Sequence, residues 1–381
     1  MLLSVANIFY LVTVGAVAAT SPAASRTATA KRATCTVNSV SSASNLSTCT
    51  NVVIEPFTVP SGGIVTIAVA PGASITMTGD ITFAKTNGAC TPTRAWHGRA
   101  HFFLASGPLL IFQTDGVLFN GGNHKFNGNG ALYWDGLGTG GGVPKPHPLI
   151  RFKGWGTFQN VTVFNAPAHA ISIKTTNTTL VQFITVDDAA GATLGHNTDA
   201  FDVGASDLTI SKCTVVNQDD CVAVNSGSNV LVEDNSCTGS HGISIGSISS
   251  NNHVSNFKAA RNIIQNGSYG LRIKVDANAT NASVSNVIYE SNTVSGIKDF
   301  GVLITQSYPV EDGTPGPGGP ISNVSFVGGT TNVGVTSKGF SVVVDCAACL
   351  GTWDFSGLNV TVPGLGSKIA ADQAKIIGGH F

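Results

Sequence analysis

Residues 199–246 read DAFDVGASDLTISKCTVVNQDDCVAVNSGSNVLVEDNSCTGSHGISIG. Three short β-branched segments within it, AFDV at 200, CVAV at 221 and GISI at 242, follow one another at intervals of 21 residues. Outward along the chain the same kind of segment recurs as AISI at 170, GLRI at 270 and GVLI at 301, at spacings of 30, 28 and 31 residues. Each is trailed by a second segment: LVQFITV at 180, LTISKCTV at 208, VLVEDNS at 230, VSNFKAARN at 254, VSNVIYESN at 284 and ISNVSFVGG at 321. Apolar residues never keep helical spacing here, whereas alternation with period two, bounded by Gly, Asn, Asp and Ser, runs throughout, which marks strands. A sandwich or barrel also uses many short strands. Recurrence in one register every 21 to 31 residues instead predicts an all-β solenoid, a parallel β-helix in which each turn pairs with the next.

In that register Phe201 and Val203 align with Val222 and Val224, Ile243 and Ile245, Leu271 and Ile273, and Val302 and Ile304. These should fill the coil interior, because successive side chains of a strand point to opposite faces. Asp202, Ala223, Ser244, Arg272 and Leu303 then share the outer face, expected to be solvent-accessible and to line a cleft. A solenoid needs its ends covered. The polar stretch from Thr36 to Cys49 is expected to form a short N-terminal capping helix, and the stretch from Cys346 to Phe355 to cover the other end.

The 381 residues include 45 Gly and 15 Pro, with 11% charged and 7% aromatic, which suits one large all-β domain. Residues 1–19 are apolar and end in small residues, as a secretory signal peptide does, and are too short to serve as a membrane anchor. Residues 20–32 read as a propeptide ending in Lys31-Arg32, leaving 33–381 as the single mature domain. Removing residues 1–32 takes Arg26, Lys31 and Arg32 from the 20 basic residues and none from the 21 acidic ones, leaving about −4. A globally basic nucleic-acid binder is excluded on that balance.

Eight cysteines in an exported chain suggest disulfides, and three pairs lie close in sequence: Cys35 with Cys49, Cys221 with Cys237, and Cys346 with Cys349. Cys90 and Cys213 are left over. A zinc site at Cys346 and Cys349 lacks a second Cys or His pair at ligand spacing. Eight Asn-x-Ser/Thr sequons, at Asn45, Asn160, Asn177, Asn266, Asn278, Asn281, Asn323 and Asn359, fit secretion from a eukaryotic cell.

The residues just ahead of the aligned strands carry the chemistry: Asp199, Asp220, His241, Tyr269 and Phe300. Neighbouring strands lie about 4.8 Å apart, so Asp199, Asp220 and His241 should stack on three consecutive turns, with Asp219 as a third carboxylate. Two adjacent carboxylates cannot both ionise easily, so the cluster can supply both an acid and a base, as glycoside hydrolysis requires. A lone Asp at a coil corner commonly serves only the turn backbone; alignment of three with a His argues for chemistry. Arg272 and Lys274 project from the same face two turns on, and suggest a carboxylate-bearing substrate.

The segments Asn197-Thr198-Asp199, Gln218-Asp219-Asp220-Cys221, Gly239-Ser240-His241-Gly242, Arg272-Ile273-Lys274 and Tyr308 in GVLITQSY, in this order and spacing, resemble the polygalacturonases of glycoside hydrolase family 28, fungal endopolygalacturonases above all. The resemblance runs over nearly all of the mature chain. It implies a right-handed parallel β-helix, a pectin-lyase-like solenoid, that hydrolyses α-1,4 bonds of homogalacturonan (pectate) with inversion. Asp220 would be the general acid, with Asp199 and Asp219 activating water and His241 tuning the acid. Arg272, Lys274 and Tyr308 would grip galacturonate, with Asn197 nearby. The resemblance further implies a secreted, extracellular monomer without metal or other cofactor.

Three departures stand out. Ser240 replaces the first Gly of Gly-His-Gly, and Ala200 the Gly usual after Asn-Thr-Asp; both would disturb the site if their backbones need positive φ. Residues 86–107, TNGACTPTRAWHGRAHFFLASG, form an atypical insertion, either a loop whose aromatic and basic residues could contact sugar beside the cleft or a retained intron. The competing functions are an exo-acting or rhamnogalacturonan-cleaving enzyme of the same fold, a pectate lyase working by elimination, and a β-helix that binds polysaccharide without cutting it.

Overall fold

The computed structural model describes residues 34–86 and 107–381. Among them the only helical elements are four short 3₁₀ turns, and the strands form one continuous system in which every ladder is parallel. One column of the coil interior is formed by Val65, Leu110, Ile150, Ile171, Phe201, Val222, Ile243, Leu271, Val302 and Val342, which stand in direct register. All are at most 1% exposed. Burying each such side chain contributes roughly 1.5–3 kcal/mol, so this and the parallel columns beside it are the main cohesive term. The expected interior alignment and parallel β-helix are what the structure shows.

One corner of each central coil turns on a left-handed residue. Lys212, Asp234, Arg261 and Ser291 have φ of 54°, 57°, 55° and 53° between paired strands. Behind them the buried amides of Asn235, Asn262 and Asn292 form a ladder. Asn235 Nδ2 donates to Asn262 Oδ1 and Asn262 Nδ2 to Asn292 Oδ1, both at 3.0 Å. Each Nδ2 also donates to a backbone carbonyl of an earlier coil, so the polar groups that the bend exposes are satisfied.

Four expectations change. The capping helix is reduced to the 3₁₀ turn Ser41–Ser44. The stretch from Cys346 to Phe355 is not a cap: most of it belongs to the strand Phe340–Asp354, a rung that is itself covered by Lys368–Ile377. The outer face is not broadly solvent-accessible, since Ala223, Ser244, Arg272 and Leu303 are buried. The departures at Ser240 and Ala200 carry no strain, because neither has positive φ; the left-handed positions are Gly239 and Gly242, with φ of 76° and 74°. A Cβ on Gly242 would lie 1.9 Å from the Gly270 carbonyl oxygen, so that glycine is fixed by packing as well as by conformation.

Disulfides join Cys35 to Cys49, Cys221 to Cys237 and Cys346 to Cys349. Cys213 is buried without a disulfide partner among the described residues, and burial pushes its thiol up to about 12. Cys90, the stretches expected to be a signal peptide and a propeptide, and nearly all of residues 86–107 lie outside the described residues.

Candidate active site

The entry to each outer-face strand forms one wall of a cleft of about 530 Å³. Asn197, Asp199, Asp219, Asp220, His241, Arg272, Lys274 and Tyr308 all line it, so the fold brings every residue singled out from the sequence into one place. The coil register explains why. With Phe201, Val222 and Ile243 paired across neighbouring coils, the residues two positions earlier, Asp199, Asp220 and His241, stack along the solenoid.

Asp220 is 1% exposed and fully engaged. Its Oδ1 accepts from Ser244 Oγ at 2.7 Å and Arg272 Nη2 at 2.8 Å, and its Oδ2 accepts from Lys274 Nζ at 2.6 Å. Burial acts to lower the pKa of both cations, but the Asp220 charge together with further partners, Glu311 and Tyr269 for Arg272 and the Asp220 hydrogen bond for Lys274, outweighs it and holds both above their ordinary values. Arg272 also stacks over Tyr269, 4.1 Å from the ring centre, and donates from Nη1 to Glu311 at 3.2 Å. Tyr269 donates to the other Glu311 oxygen at 2.6 Å. Lys274 Nζ lies 5.5 Å from the centre of the Tyr308 ring.

Asp219 is the carboxylate that meets an imidazole. Its Oδ1 is 3.0 Å from His241 Nδ1, and its Oδ2 accepts from Asn197 Nδ2 at 3.1 Å. Burial raises its pKa, but the His241 hydrogen bond and the charges of His241 and Lys274 outweigh burial and hold it below the usual carboxylate range. Asp199 is the reverse case. Its Oδ1 is buried with no hydrogen-bond partner, and burial, followed by the charges of Asp219 and Asp202, holds its pKa well above the ordinary value. The two carboxyls are thus biased in opposite directions, Asp199 toward its protonated form and Asp219 toward its ionised one.

The geometry bears on the general-acid role expected of Asp220. An acid must carry a proton at the moment of cleavage. Both Asp220 oxygens are occupied by donors, Ser244 and Arg272 on Oδ1 and Lys274 on Oδ2, so neither is free to face a leaving group without displacing a donor.

His169 and Glu311 line the same cleft and were missed. His169 stands two residues before Ile171, which pairs with Phe201, so the row of strand-entry residues runs His169, Asp199, Asp220, His241. Extending the row by one coil toward the N-terminus would have found it. Glu311 comes from the loop after Tyr308, which no repeat constrains.

The fold and site define a class: parallel β-helices that carry a carboxylate cluster, with partner cations, on an outer face. Residues 49–376 match the model of glycosyl hydrolases family 28, and the chain belongs to that family. It is 40% identical over 324 residues to an endo-polygalacturonase of Sclerotinia sclerotiorum, covering 82% of this chain and 79% of that one. It is 36% identical over 344 residues to a polygalacturonase of Saccharomyces cerevisiae, covering 87% and 89%. Among solved structures, endopolygalacturonase I from Stereum purpureum, complexed with two galacturonate, superposes with a TM-score of 0.85 at 46% identity, covering 91% of this chain and all of that one. An endo-xylogalacturonan hydrolase from Aspergillus tubingensis, at 22% identity and a TM-score of 0.62, shares the fold.

Proposed function

We propose that the protein is an endo-polygalacturonase that hydrolyses α-1,4-galacturonosyl bonds of homogalacturonan by acid and base catalysis. The relatives named above support the substrate and the endo mode. The observation that carries the division of roles is that Asp220 is locked by Arg272 and Lys274, whereas Asp219 faces His241.

Asp219 is the general acid in this reading. Its partner His241 is half-buried and touches the cleft, so it can return a proton from solvent after each cleavage. The substrate helps. A galacturonate carboxylate drawn to Lys274 and Arg272 offsets the positive charge that depresses Asp219, and so favours its protonated form. Asp220, anchored by Arg272 and Lys274, and Asp199, a carboxyl of raised basicity, flank and deprotonate the attacking water. Tyr308 and Asn197 position the sugar at the rim.

Oxygens of Asp219 and Asp220 approach within 4.8 Å, shorter than the roughly 6.5–9.5 Å usual for inversion. Inversion is therefore carried by the family resemblance, and its check is the anomer released first, read by proton NMR. The protein is proposed to act outside the cell as a monomer, after loss of residues 1–19 and 20–32; its three disulfides support export.

Reducing-end release from polygalacturonate, with product lengths, tests the whole reading. Early oligomers are expected. Monomer alone would mean exo action, an unsaturated product absorbing in the ultraviolet would mean elimination, and no cleavage of any pectic polymer would mean a binding protein. Within the mechanism, Asp219→Asn is expected to remove the alkaline limb of the pH profile along with most activity; an unchanged limb would return the acid role to another group.

A further inference from the structure

The mechanism above uses one imidazole, and the cleft holds a second. His169 Nδ1 lies 3.0 Å from Asp202 Oδ2, and its Nε2 lies 3.7 Å from Asp199 Oδ1, the oxygen left without a hydrogen-bond partner. The coil register fixes this arrangement. His169 and Asp199 are both strand-entry residues on paired coils, and Asp202 is the first outward residue of the strand that follows Asp199. The backbone ties the coils at that point, with Ala170 N–H donating to the Asp199 carbonyl at 2.8 Å. Behind His169 stands His147, its ring centre 5.3 Å away at an interplanar angle of 63°, with Nδ1 against the Lys145 carbonyl at 2.8 Å.

We infer that His169 is the positioning residue for Asp199, an imidazolium anchored by Asp202 that lets Asp199 ionise as the water-activating base. This rests on the reading of Asp199 as that base. The charged groups facing His169 are Asp202, Asp199 and Asp219, all anionic when ionised, with the neighbouring imidazole of His147 on the opposite side. Asp199 in turn faces Asp219, Asp202 and Asp220, which oppose its ionisation, and His169, which favours it.

Burial works against charge on His169, but the Asp202 hydrogen bond and the Asp199 and Asp202 charges outweigh it and raise its pKa to about 9. The ring is thus cationic across the range in which Asp199 must lose its proton. Burial also lowers the pKa of His147, so the outer ring adds no competing charge at neutral pH. The cleft is then symmetric in one respect: His241 serves the acid Asp219 at one end of the row, and His169 serves the base at the other.

The experiment is the pH profile of kcat/KM on polygalacturonate for wild type, His169→Gln and Asp202→Asn. His169→Gln keeps a side chain able to bond Asp202 but removes the charge. Its acid limb is expected to move up by about one pH unit, so that the loss on the acid side is roughly tenfold greater than on the plateau. Asp202→Asn removes the anchor of His169 but also a charge that opposes ionisation of Asp199, so its limb should move less than that of His169→Gln. A uniform loss at every pH, or a rise in KM with the limb unmoved, would make His169 structural or substrate-binding and overturn the inference. In the wild-type protein the His169 ring proton should titrate well above pH 6.5 by NMR, and titration below that value would overturn it without any variant. Asp199→Asn separates the two readings: if it stays active, the base assignment itself fails.

Discussion

Asp199 and Asp220 occupy the same position on neighbouring coils, two residues before Phe201 and Val222, and yet their surroundings are opposite. Asp220 receives hydrogen bonds from Ser244, Arg272 and Lys274. Asp199 has a buried oxygen that receives none. Backbone geometry does not separate them; what stands one and two coils further along does. Toward the C-terminus the outward positions hold Ser244, Arg272 and Lys274, and toward the N-terminus His169 is the nearest cation. One scaffold position thereby stands in two opposite electrostatic settings.

The comparison breaks most visibly under amide substitution. Asp199→Asn and Asp220→Asn should each lower kcat by roughly 10²–10⁴-fold, read as reducing ends. Their stabilities should part. Asp220→Asn leaves two cations in a dry site without their anion and should cost about 3–5 kcal/mol, whereas Asp199→Asn changes a carboxyl whose Oδ1 has no hydrogen-bond partner and should stay within about 1 kcal/mol. Denaturant titration checks both, and equal losses would dissolve the contrast.

Stability against pH sharpens it further. Asp199, with its folded pKa raised above 3.8, binds more protons folded than unfolded, so its contribution falls as pH rises from 3.8 through the raised value. Asp219, with its folded pKa lowered, stabilises above 3.8 and loses that contribution as pH falls through the lowered value. His169 stabilises fully below pH 6.5, and its contribution is lost as pH rises through about 9. Thermal melts of Asp199→Asn and Asp219→Asn across pH 3–8 should therefore both part from wild type as pH rises, in opposite directions, Asp199→Asn becoming relatively more stable and Asp219→Asn relatively less.

The smallest effect concerns Ser240. Its Oγ accepts from Gly242 N–H at 3.0 Å, so Ser240→Gly should cost about 0.5–1.5 kcal/mol and leave activity near wild type. Activity that rises severalfold would show that this serine holds His241 away from its best position.

The repeat made the fold legible because period two and a constant register determine which residues face inward, and every aligned pair from Phe201 to Ile304 stands where that rule puts it. The site was legible to the same extent: Asp199, Asp220 and His241 follow from register, and Arg272 from parity. Partnership was not. The link from Asp220 to Arg272 spans two coils, and only side-chain reach decides whether a cation faces substrate or a carboxylate of its own chain. Glu311 was invisible because its loop obeys no period. The C-terminal cover was misplaced because the strand Phe340–Asp354 continues the ladder through a disulfide that resembled a terminal knot.

The 21-residue spacing of the central segments, against 28 to 31 for the others beyond residue 170, has a consequence for how such a cleft arises. The interior column sets a minimum circumference, so longer coils must send their surplus outward as loops such as 309–320. The two coils that run from Asp199 to Asp220 and from Asp220 to His241 carry the least surplus. The depression over the carboxylates is thus a local shortage of chain, and lengthening either short coil at its outward corner would fill the cleft without touching a single catalytic side chain.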